Sequence, residues 1–229
     1  MSTRLTGISS MATKGLLADL VALYRAHADV QVGFESVGGV DAARRVEDGE
    51  AFDLVVLADD AIDKLVSLGV AQARTKTPLA HSSVAVAVRA GTTRPDIGTP
   101  AALREAVLHA RSVGYSTGPS GVALVRLFER WGIIAQLGDR LVQAPPGVPV
   151  ASLVARGDVD LGFQQLSELM HAEGIDVLGP LPEGVQVSTT FCAACCSTSR
   201  QAVAATSFLE FLRSPATEAA KRQHGMVPA

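Results

Sequence analysis

The sequence predicts an α/β protein of two lobes, each a mainly parallel sheet flanked by helices. Stretches typical of strands alternate with stretches typical of helices along all 229 residues. Hydrophobic residues make up 48% of the chain but aromatic residues only 4%, so the cores must consist of Ala, Val and Leu. Two predicted strands, Ser82–Arg89 and Val185–Cys196, are unusually long and bracket a self-contained block of strands and helices.

We expect these two long strands to cross between the lobes. Residues 1–81 and 197–229 then form lobe 1, residues 90–185 form lobe 2, and residues 82–89 and 186–196 form the crossing strands and the hinge. The carboxyl ends of the parallel strands would line one cleft, which is the usual ligand crevice of open α/β sheets.

Three strands of the first lobe each run into a loop that precedes a helix. The first strand, Leu5–Ser9, is followed by Ser10, which we expect to cap the next helix. The second, Val30–Glu35, is followed by Ser36 and two glycines, and the third, Asp53–Ala58, is typical of a buried parallel strand. Hydroxyl groups beside free N–H groups at helix starts are typical of anion sites.

The second lobe contains a similar loop, Gly114–Gly121, between a strand led in by Leu108–Val113 and the helix Val122–Trp131. Thr117 or Ser120 is expected to cap that helix, and Gly118 and Gly121 allow a close approach of the backbone to a ligand. The other predicted strands are Leu141–Gln143 and Val159–Gln165, and Val177–Pro182 is predicted to be a loop. The first predicted helix has Leu16, Leu17 and Leu20 at helical spacing. The other predicted helices are Asp41–Asp48, Asp59–Leu68, Pro100–Ala110, Val150–Ala155, Leu166–His171, Gln201–Arg213 and a last one that ends at His224.

Composition excludes several classes of function. The net charge of −3 and the scattered basic residues argue against a nucleic-acid partner, and no apolar run approaches the roughly 18 residues of a membrane span. The C-x-x-C spacing of Cys192 and Cys195 lacks a second pair or a nearby His, so we interpret these residues and Cys196 as small buried apolar side chains. We expect no metal and no cofactor.

The start of the chain shows no leader features, which predicts a cytoplasmic protein if Met1 is the natural start and a periplasmic one if a leader was removed. The expected partner is a small anionic ligand, joined by the permease of an ABC transporter if the protein is exported.

The chain resembles the periplasmic molybdate-binding proteins, a branch of the type 2 periplasmic solute-binding fold. The resemblance covers essentially the whole chain and is carried, in order, by Ser9–Ser10, Ser36, Asp53–Asp59, Arg156–Phe163 and Phe208–Pro215. It implies an oxyanion site of serine hydroxyls, backbone amides and a tyrosine hydroxyl of the second lobe. The matching positions here are Ser9, Ser10, Ser36, the Ala58 amide, the backbone near Gly147 and Val148, and Gln165, which departs from the family's tyrosine.

A closer likeness is to the aconitate-isomerase branch of this family. Tyr115–Ser116, Ser120–Gly121 and Phe163–Leu169 have similar counterparts there, and that branch handles a tricarboxylate. The first hypothesis is therefore a protein that binds a small anion, a di- or tricarboxylate, in the inter-lobe cleft. The alternatives are a cofactor-independent isomerase that moves a proton along an unsaturated polycarboxylate, a molybdate or tungstate receptor of an ABC transporter, and an intracellular sensor.

The isomerase hypothesis needs a base, and the sequence offers Tyr115, Lys14, Glu168 and His171. Tyr115 is the most suggestive because it stands at a strand end beside Ser116. Arg89, at the end of a crossing strand, is a candidate partner for a ligand carboxylate.

Overall fold

The computed structural model describes residues 3–229, so Met1 and Ser2, with which the predicted lobe 1 begins, lie outside the described residues. The chain divides into two compact units. Unit 1 comprises the described residues up to His81 together with Thr190–Ala229, and unit 2 comprises Ser82–Thr189. Two strands carry the chain from one unit to the other, β4 (Thr77–Arg89) and β9 (Ser188–Cys195).

Unit 1 is built on three parallel strands. They lie in the order β2-β1-β3, and β9 adds to β3 in the antiparallel direction. A short strand, β10, pairs with β4. The strands are β1 (Thr3–Ser10), β2 (Val30–Val37), β3 (Leu54–Ala58) and β10 (Met226–Pro228); the helices are α1 (Lys14–Arg25), α2 (Gly39–Glu47), α3 (Asp59–Ser67), α9 (Ala202–Leu212) and α10 (Glu218–Gln223).

Both faces of the unit 1 sheet are covered, which explains why β3 is apolar at every position. Leu54 and Val56 belong to a core cluster packed under α1 and α9, whereas Val55 and Leu57 belong to a second cluster under α2 and α3. The three cysteines of β9 and its end are free and buried in these two clusters, which confirms their interpretation as small buried side chains.

Unit 2 has parallel strands at its centre. The order is β4-β7-β5-β6; β5 runs parallel to β6 and β7, while β4 is antiparallel to β7 and to β8. The strands are β5 (Val113–Tyr115), β6 (Leu141–Gln143), β7 (Leu161–Gln165) and β8 (Ile175–Pro180); the helices are α4 (Pro100–His109), α5 (Pro119–Arg130), α6 (Ile134–Leu137), α7 (Val150–Arg156) and α8 (Leu166–Leu169).

Helix α7 packs directly on the unit 2 sheet because two strand positions carry no side chain. A Cβ at Gly162 would lie 2.4 Å from Val154 Cγ2, and one at Gly114 would lie 3.2 Å from Val150 Cγ1, both in α7. The small residues that replace aromatics in this chain therefore allow close helix–sheet contact, as the composition predicts.

Several predicted elements are wrong. Val177–Pro182 is not a loop, because Ile175–Pro180 forms β8 along β4, with a register shift opposite Val86 and Ala87 and Gly179 at φ +132°. The predicted helix Pro100–Ala110 is confirmed as α4, which contains Leu108 and His109, so the strand that follows begins only at Val113; the chain end forms β10, which was not predicted. The sheets are mainly parallel, as predicted, and the strands that link the two units are their antiparallel members, since β4 pairs with β7 and β9 with β3 in the antiparallel direction.

Among residues 3–229, no helix combines the length and the hydropathy that are needed to cross a membrane.

Candidate functional site

Two of the predicted site residues meet in unit 1. Ser9 and Ser36 are register partners in β1 and β2, and their hydroxyl oxygens lie 2.8 Å apart. Ser9 is fully buried, whereas Ser36 is half-buried. Each hydroxyl has one proton, and Ser9 Oγ can donate it either to Ser36 Oγ or to the carbonyl oxygen of Ser10 at 3.3 Å. The proton of Ser36 is available to a ligand when Ser9 donates to Ser36.

Ser10 and Ala58 lie at the same edge, because β1, β2 and β3 are parallel and their carboxyl ends meet there. Ser10 is 7% exposed, and its hydroxyl has no hydrogen-bond partner among the described residues. The predicted capping role of Ser10 is wrong, since its side chain makes no bond to the helical turn that follows.

The helices that leave this edge also start without side-chain caps. Gly38 precedes α2 and Ala58 precedes α3, and neither position supplies a capping hydroxyl or carboxylate. Free N–H groups at the start of α2 and the positive ends of the helix dipoles therefore accompany the serines. At the start of α3, Asp60 Oδ1 accepts a hydrogen bond from Ala61 N at 2.9 Å, so the neutral donors of this edge lie beside two carboxylates, Asp59 and Asp60.

Asp59, the first residue of α3, brings a negative charge to this edge, but that charge is compensated. Its Oδ1 lies 2.7 Å from Lys76 Nζ and accepts a bond from the Cys192 thiol at 2.9 Å. These contacts lower the pKa of Asp59, while burial and the nearby carboxylate raise the pKa of Cys192 to about 12. The thiol is thus a neutral donor at physiological pH, and Lys76 offsets the repulsion that Asp59 would exert on an anion.

In unit 2, the loop between β5 and α5 places Ser116 beside Ser120. Their hydroxyl oxygens lie 3.3 Å apart, and Ser120 is 7% exposed. A Cβ at Gly121 would lie 1.8 Å from the carbonyl oxygen of Ser116, so only glycine fits this turn onto α5. Capping by Thr117 or Ser120 is wrong, because Gly118 occupies the N-cap position without a side-chain bond.

Tyr115 ends β5 and is half-buried against the apolar core of unit 2. Its backbone oxygen accepts a bond from Ala144 N at 2.8 Å, which ties the loop after β6 to the end of β5.

Val148 offers less than the resemblance implies. Its N–H donates to Pro145 O at 3.0 Å and closes a turn with Gly147 at φ +75°, so this amide is already used.

Gln165 ends β7 at the same edge of the unit 2 sheet as Tyr115, because β5 and β7 are parallel. It is 5% exposed; its Nε2 donates to Thr189 Oγ1 at 2.8 Å, and its Oε1 has no partner among the described residues.

Of the other candidate bases, Glu168 lies in a partly buried position. It is half-buried in α8 and accepts a hydrogen bond from Gln164 Nε2, and burial raises its pKa to about 7. Gln164 in turn accepts a bond from Ala151 N at 3.1 Å, at the start of α7. Lys14 and His171 are exposed.

Arg89 does not belong to this edge. It lies at the carboxyl end of β4, which runs antiparallel to β7, and lines a surface pocket of about 470 Å³ with His109, Arg111 and Asp160. Helices α4 and α7 end at this pocket. The carbonyl groups at helix C-termini carry partial negative charge. This charge accounts for the basic residues of the pocket, so they do not indicate an anionic ligand.

Sequence reasoning missed Thr189, the Gln164–Glu168 pair and the contact of Cys192 with Asp59. The contacts of Thr189 with Gln165 and of Cys192 with Asp59 join residues that are distant in the chain. Gln164 and Glu168 are only four residues apart, but their contact depends on the turn from β7 into α8. The described residues hold no group of three or more His, Cys, Asp or Glu that could bind a metal ion.

The chain matches, over residues 5–227, the family described as bacterial extracellular solute-binding protein. An aconitate isomerase of Pseudomonas sp is 34% identical over an alignment of 232 positions, which covers 99% of this chain and 88% of the relative.

Two solved structures share the fold. The periplasmic molybdate-binding protein of Azotobacter vinelandii superposes with a TM-score of 0.82 at 20% identity, over 98% of this chain and 99% of that one. The sulfate-binding protein SubI of Mycobacterium tuberculosis reaches a TM-score of 0.81 at 18% identity, over 99% and 87% of the two chains. The predicted type 2 periplasmic-binding-protein fold is thereby confirmed, and the chain belongs to the family of bacterial extracellular solute-binding proteins.

Proposed function

We propose that the protein binds a small di- or tricarboxylate, and that the polar edge of unit 1 supplies the principal carboxylate-binding groups. The observation that carries this proposal is the buried, unpartnered hydroxyl of Ser10 beside the Ser9–Ser36 pair. A buried hydroxyl without a partner costs free energy, which a ligand oxygen would recover. The groups proposed to contact the ligand are Ser9, Ser10, Ser36 and Ala58 of unit 1, and Tyr115, Ser116, Ser120, Gly121, Val148 and Gln165 of unit 2.

The donors at these positions are neutral, and neutral donors suffice for an anion. Hydroxyls, backbone amides and helix dipoles stabilise a carboxylate without a countercharge. Gln165 disfavours a tetrahedral oxyanion because it takes the place of the tyrosine hydroxyl that the resemblance to the molybdate-binding family implies, and its own Nε2 already donates to Thr189. Val148 can join only if its turn opens, since its N–H is already bonded to Pro145.

A thermal-shift panel tests the proposal. Citrate, cis-aconitate, trans-aconitate, succinate, malonate, sulfate, molybdate and tungstate are compared at equal concentration and ionic strength. We expect a rise in Tm with a di- or tricarboxylate, because a ligand that binds only the folded chain stabilises it by mass action. A shift with molybdate or tungstate and none with any carboxylate would overturn the proposal in favour of an oxyanion receptor.

Two variants locate the binding groups. Ser36→Ala and Ser120→Ala should each weaken carboxylate binding in calorimetry by about 1–3 kcal/mol, the cost of a charged acceptor that loses its donor. Ser67→Ala is the matched control, because Ser67 is exposed and its hydroxyl bonds only to Lys64 O at 2.7 Å. Unchanged affinity in both test variants would contradict the assignment.

A second function, isomerisation of an unsaturated tricarboxylate, is favoured by the 34% identity with the aconitate isomerase over 99% of the chain. The reaction is an allylic proton shift: a base removes a proton from the CH₂ next to the double bond, the double bond moves, and a proton returns to the former vinyl carbon. Hydrogen-bond donors at a carboxylate stabilise the charge that develops there. Tyr115 and Glu168 are the proposed bases, and Glu168 has a pKa of about 7, which suits proton transfer near neutral pH.

NMR of cis- or trans-aconitate with the protein distinguishes the two functions. Interconversion within hours, abolished in Tyr115→Phe or Glu168→Gln but not in Ser67→Ala, would establish the isomerase and identify its base. Binding of aconitate without interconversion would leave a solute receptor, whose partner would be a membrane permease.

A further inference from the structure

The side-chain amide of Gln165 has fewer hydrogen-bond partners than the side-chain amide of the neighbouring Gln164. Both ends of the Gln164 amide are bonded, Oε1 to Ala151 N and Nε2 to Glu168. Gln165 is equally buried, yet only its Nε2 is bonded, to Thr189 Oγ1 at 2.8 Å. Its Oε1 is left without a partner among the described residues.

The free end of the Gln165 amide is thus a hydrogen-bond acceptor. Carboxylates, sulfate and molybdate present only acceptor oxygens when fully ionised, so they cannot bond to Oε1. A hydroxyl group or a protonated carboxyl group can donate to it. A buried acceptor that finds no donor costs free energy. A ligand that supplies a donor to Oε1 should therefore bind more tightly than a ligand that does not.

Thr189 is the hydrogen-bond partner of the Gln165 amide, and its hydroxyl can donate as well as accept. An amide can rotate by half a turn and exchange its oxygen for its NH₂ group. The Thr189 hydroxyl, itself 9% exposed in β9, accepts the Nε2–H and thereby leaves Oε1 outward.

We propose that Thr189 positions the Gln165 side chain so that its Oε1 accepts a hydrogen bond from the ligand, and that the preferred ligand is therefore a hydroxy-carboxylic acid. This inference rests on the proposed function, because it assumes that Gln165 contacts a bound carboxylic acid. Thr189 acts through Gln165 and is a positioning residue.

Calorimetry with matched ligands tests the inference. Citrate and propane-1,2,3-tricarboxylate differ by one hydroxyl, and malate and succinate differ in the same way. We expect the hydroxylated member of the pair to bind about 10-fold tighter or more, as one buried hydrogen bond would produce. A ligand without a hydroxyl should bind more tightly as the pH falls, because one of its carboxyl groups then becomes a donor.

Three variants separate positioning from folding. Thr189→Val, which keeps the shape but loses the hydroxyl, should bring the ratio of the two affinities towards one, whereas Thr189→Ser should restore the wild-type ratio. Gln165→Leu should abolish the preference altogether. Because the readout is a ratio within one variant, a general loss of stability does not imitate the effect.

Tight binding of both members of a pair with equal affinity would overturn the inference while leaving the proposed function intact. A preference that survives in Thr189→Val would overturn the role of Thr189. Failure of every carboxylate to bind would overturn the proposed function, and this inference with it.

Discussion

The hydroxyl oxygens of Ser9 and Ser36 lie 2.8 Å apart although 27 residues separate them in the chain. The parallel register of β1 and β2 brings them together. A slip of this register by one residue would turn one of the two side chains to the opposite face of the sheet. The geometry of the proposed site therefore depends on the pairing of strands that the apolar core of unit 1 holds in place.

Replacing Ser10 by Ala should affect binding and stability in opposite directions. The buried hydroxyl of Ser10 has no partner among the described residues, so its removal should leave the free energy of unfolding unchanged or raise it by up to about 1 kcal/mol. The rise in Tm on addition of the carboxylate should shrink, because the ligand loses a donor. Ser214→Ala is the control, since Ser214 also has a buried, unpartnered hydroxyl but precedes the helical turn Pro215–Thr217. Equal ligand-induced shifts in both variants would refute the role of Ser10.

Gly121→Ala should distort the Ser116–Ser120 loop. The new methyl group would lie 1.8 Å from Ser116 O, a backbone atom that cannot move without the strand end. We expect a loss of about 2 kcal/mol or more in urea unfolding, the scale of overpacking a tight site. Gly33→Ala is the control, because a Cβ there meets nothing within 4 Å and should leave stability almost unchanged. Similar stability of the two variants would mean that the loop can move to accommodate the new methyl group.

Glu168→Gln should make stability less dependent on pH. Burial raises the pKa of Glu168 from its ordinary value near 4.5 to about 7, so between these values the folded chain holds a proton that the unfolded chain has released. Stability contributed by this group is therefore complete below pH 4.5 and lost as the pH rises through 7. At pH 8 the variant, which cannot ionise, should be more stable than the wild type by on the order of 1–3 kcal/mol. At pH 4.5 the two should match, as Tm values across this range would show; parallel profiles would contradict the assigned pKa.

Asp53→Asn should destabilise unit 1 at the amino end of β3. Its carboxylate accepts bonds from Thr6 N at 2.9 Å, Thr6 Oγ1 at 3.2 Å and Ser199 Oγ at 2.7 Å. An amide in its place must point its NH₂ group at one of these donors. We expect a loss of about 2 kcal/mol, typical of hydrogen bonds to a charged group. Asp48→Asn changes an exposed carboxylate and should have little effect; if the two variants unfold alike, the three bonds contribute nothing.

The periodic parts of the fold could be predicted from the sequence. The apolar run Leu54–Ala58 reflects burial on both faces of a sheet. The spacing of Leu16, Leu17 and Leu20 reflects burial on one face of a helix. Both patterns can be recognised within a short stretch of sequence. The hydroxyl-bearing strand ends were predictable for the same reason, since Ser10 and Ser36 immediately follow stretches with a strand pattern.

The contacts that complete the candidate site were not predictable. That Gln165 bonds to Thr189 depends on where β9 lies, and that Val148 uses its N–H in a turn depends on the Pro145–Gly147 backbone. The β8 strand was missed because Gly179 and Pro180 favour loops, yet pairing with β4 outweighs that preference. Tertiary contacts decided each of these features.

Unit 1 is discontinuous in the chain, and this has a consequence for synthesis on the ribosome. Its sheet needs β9, and its larger core cluster includes Phe191, Ala205 and Phe208, all of which follow unit 2 in the chain. Unit 2 is one continuous segment, Ser82–Thr189, and can complete its own core as soon as it emerges. A nascent chain that has emerged as far as residue 189 would therefore carry a finished second unit and an unfinished first one, whose exposed β3 edge is the surface that a chaperone would need to shield.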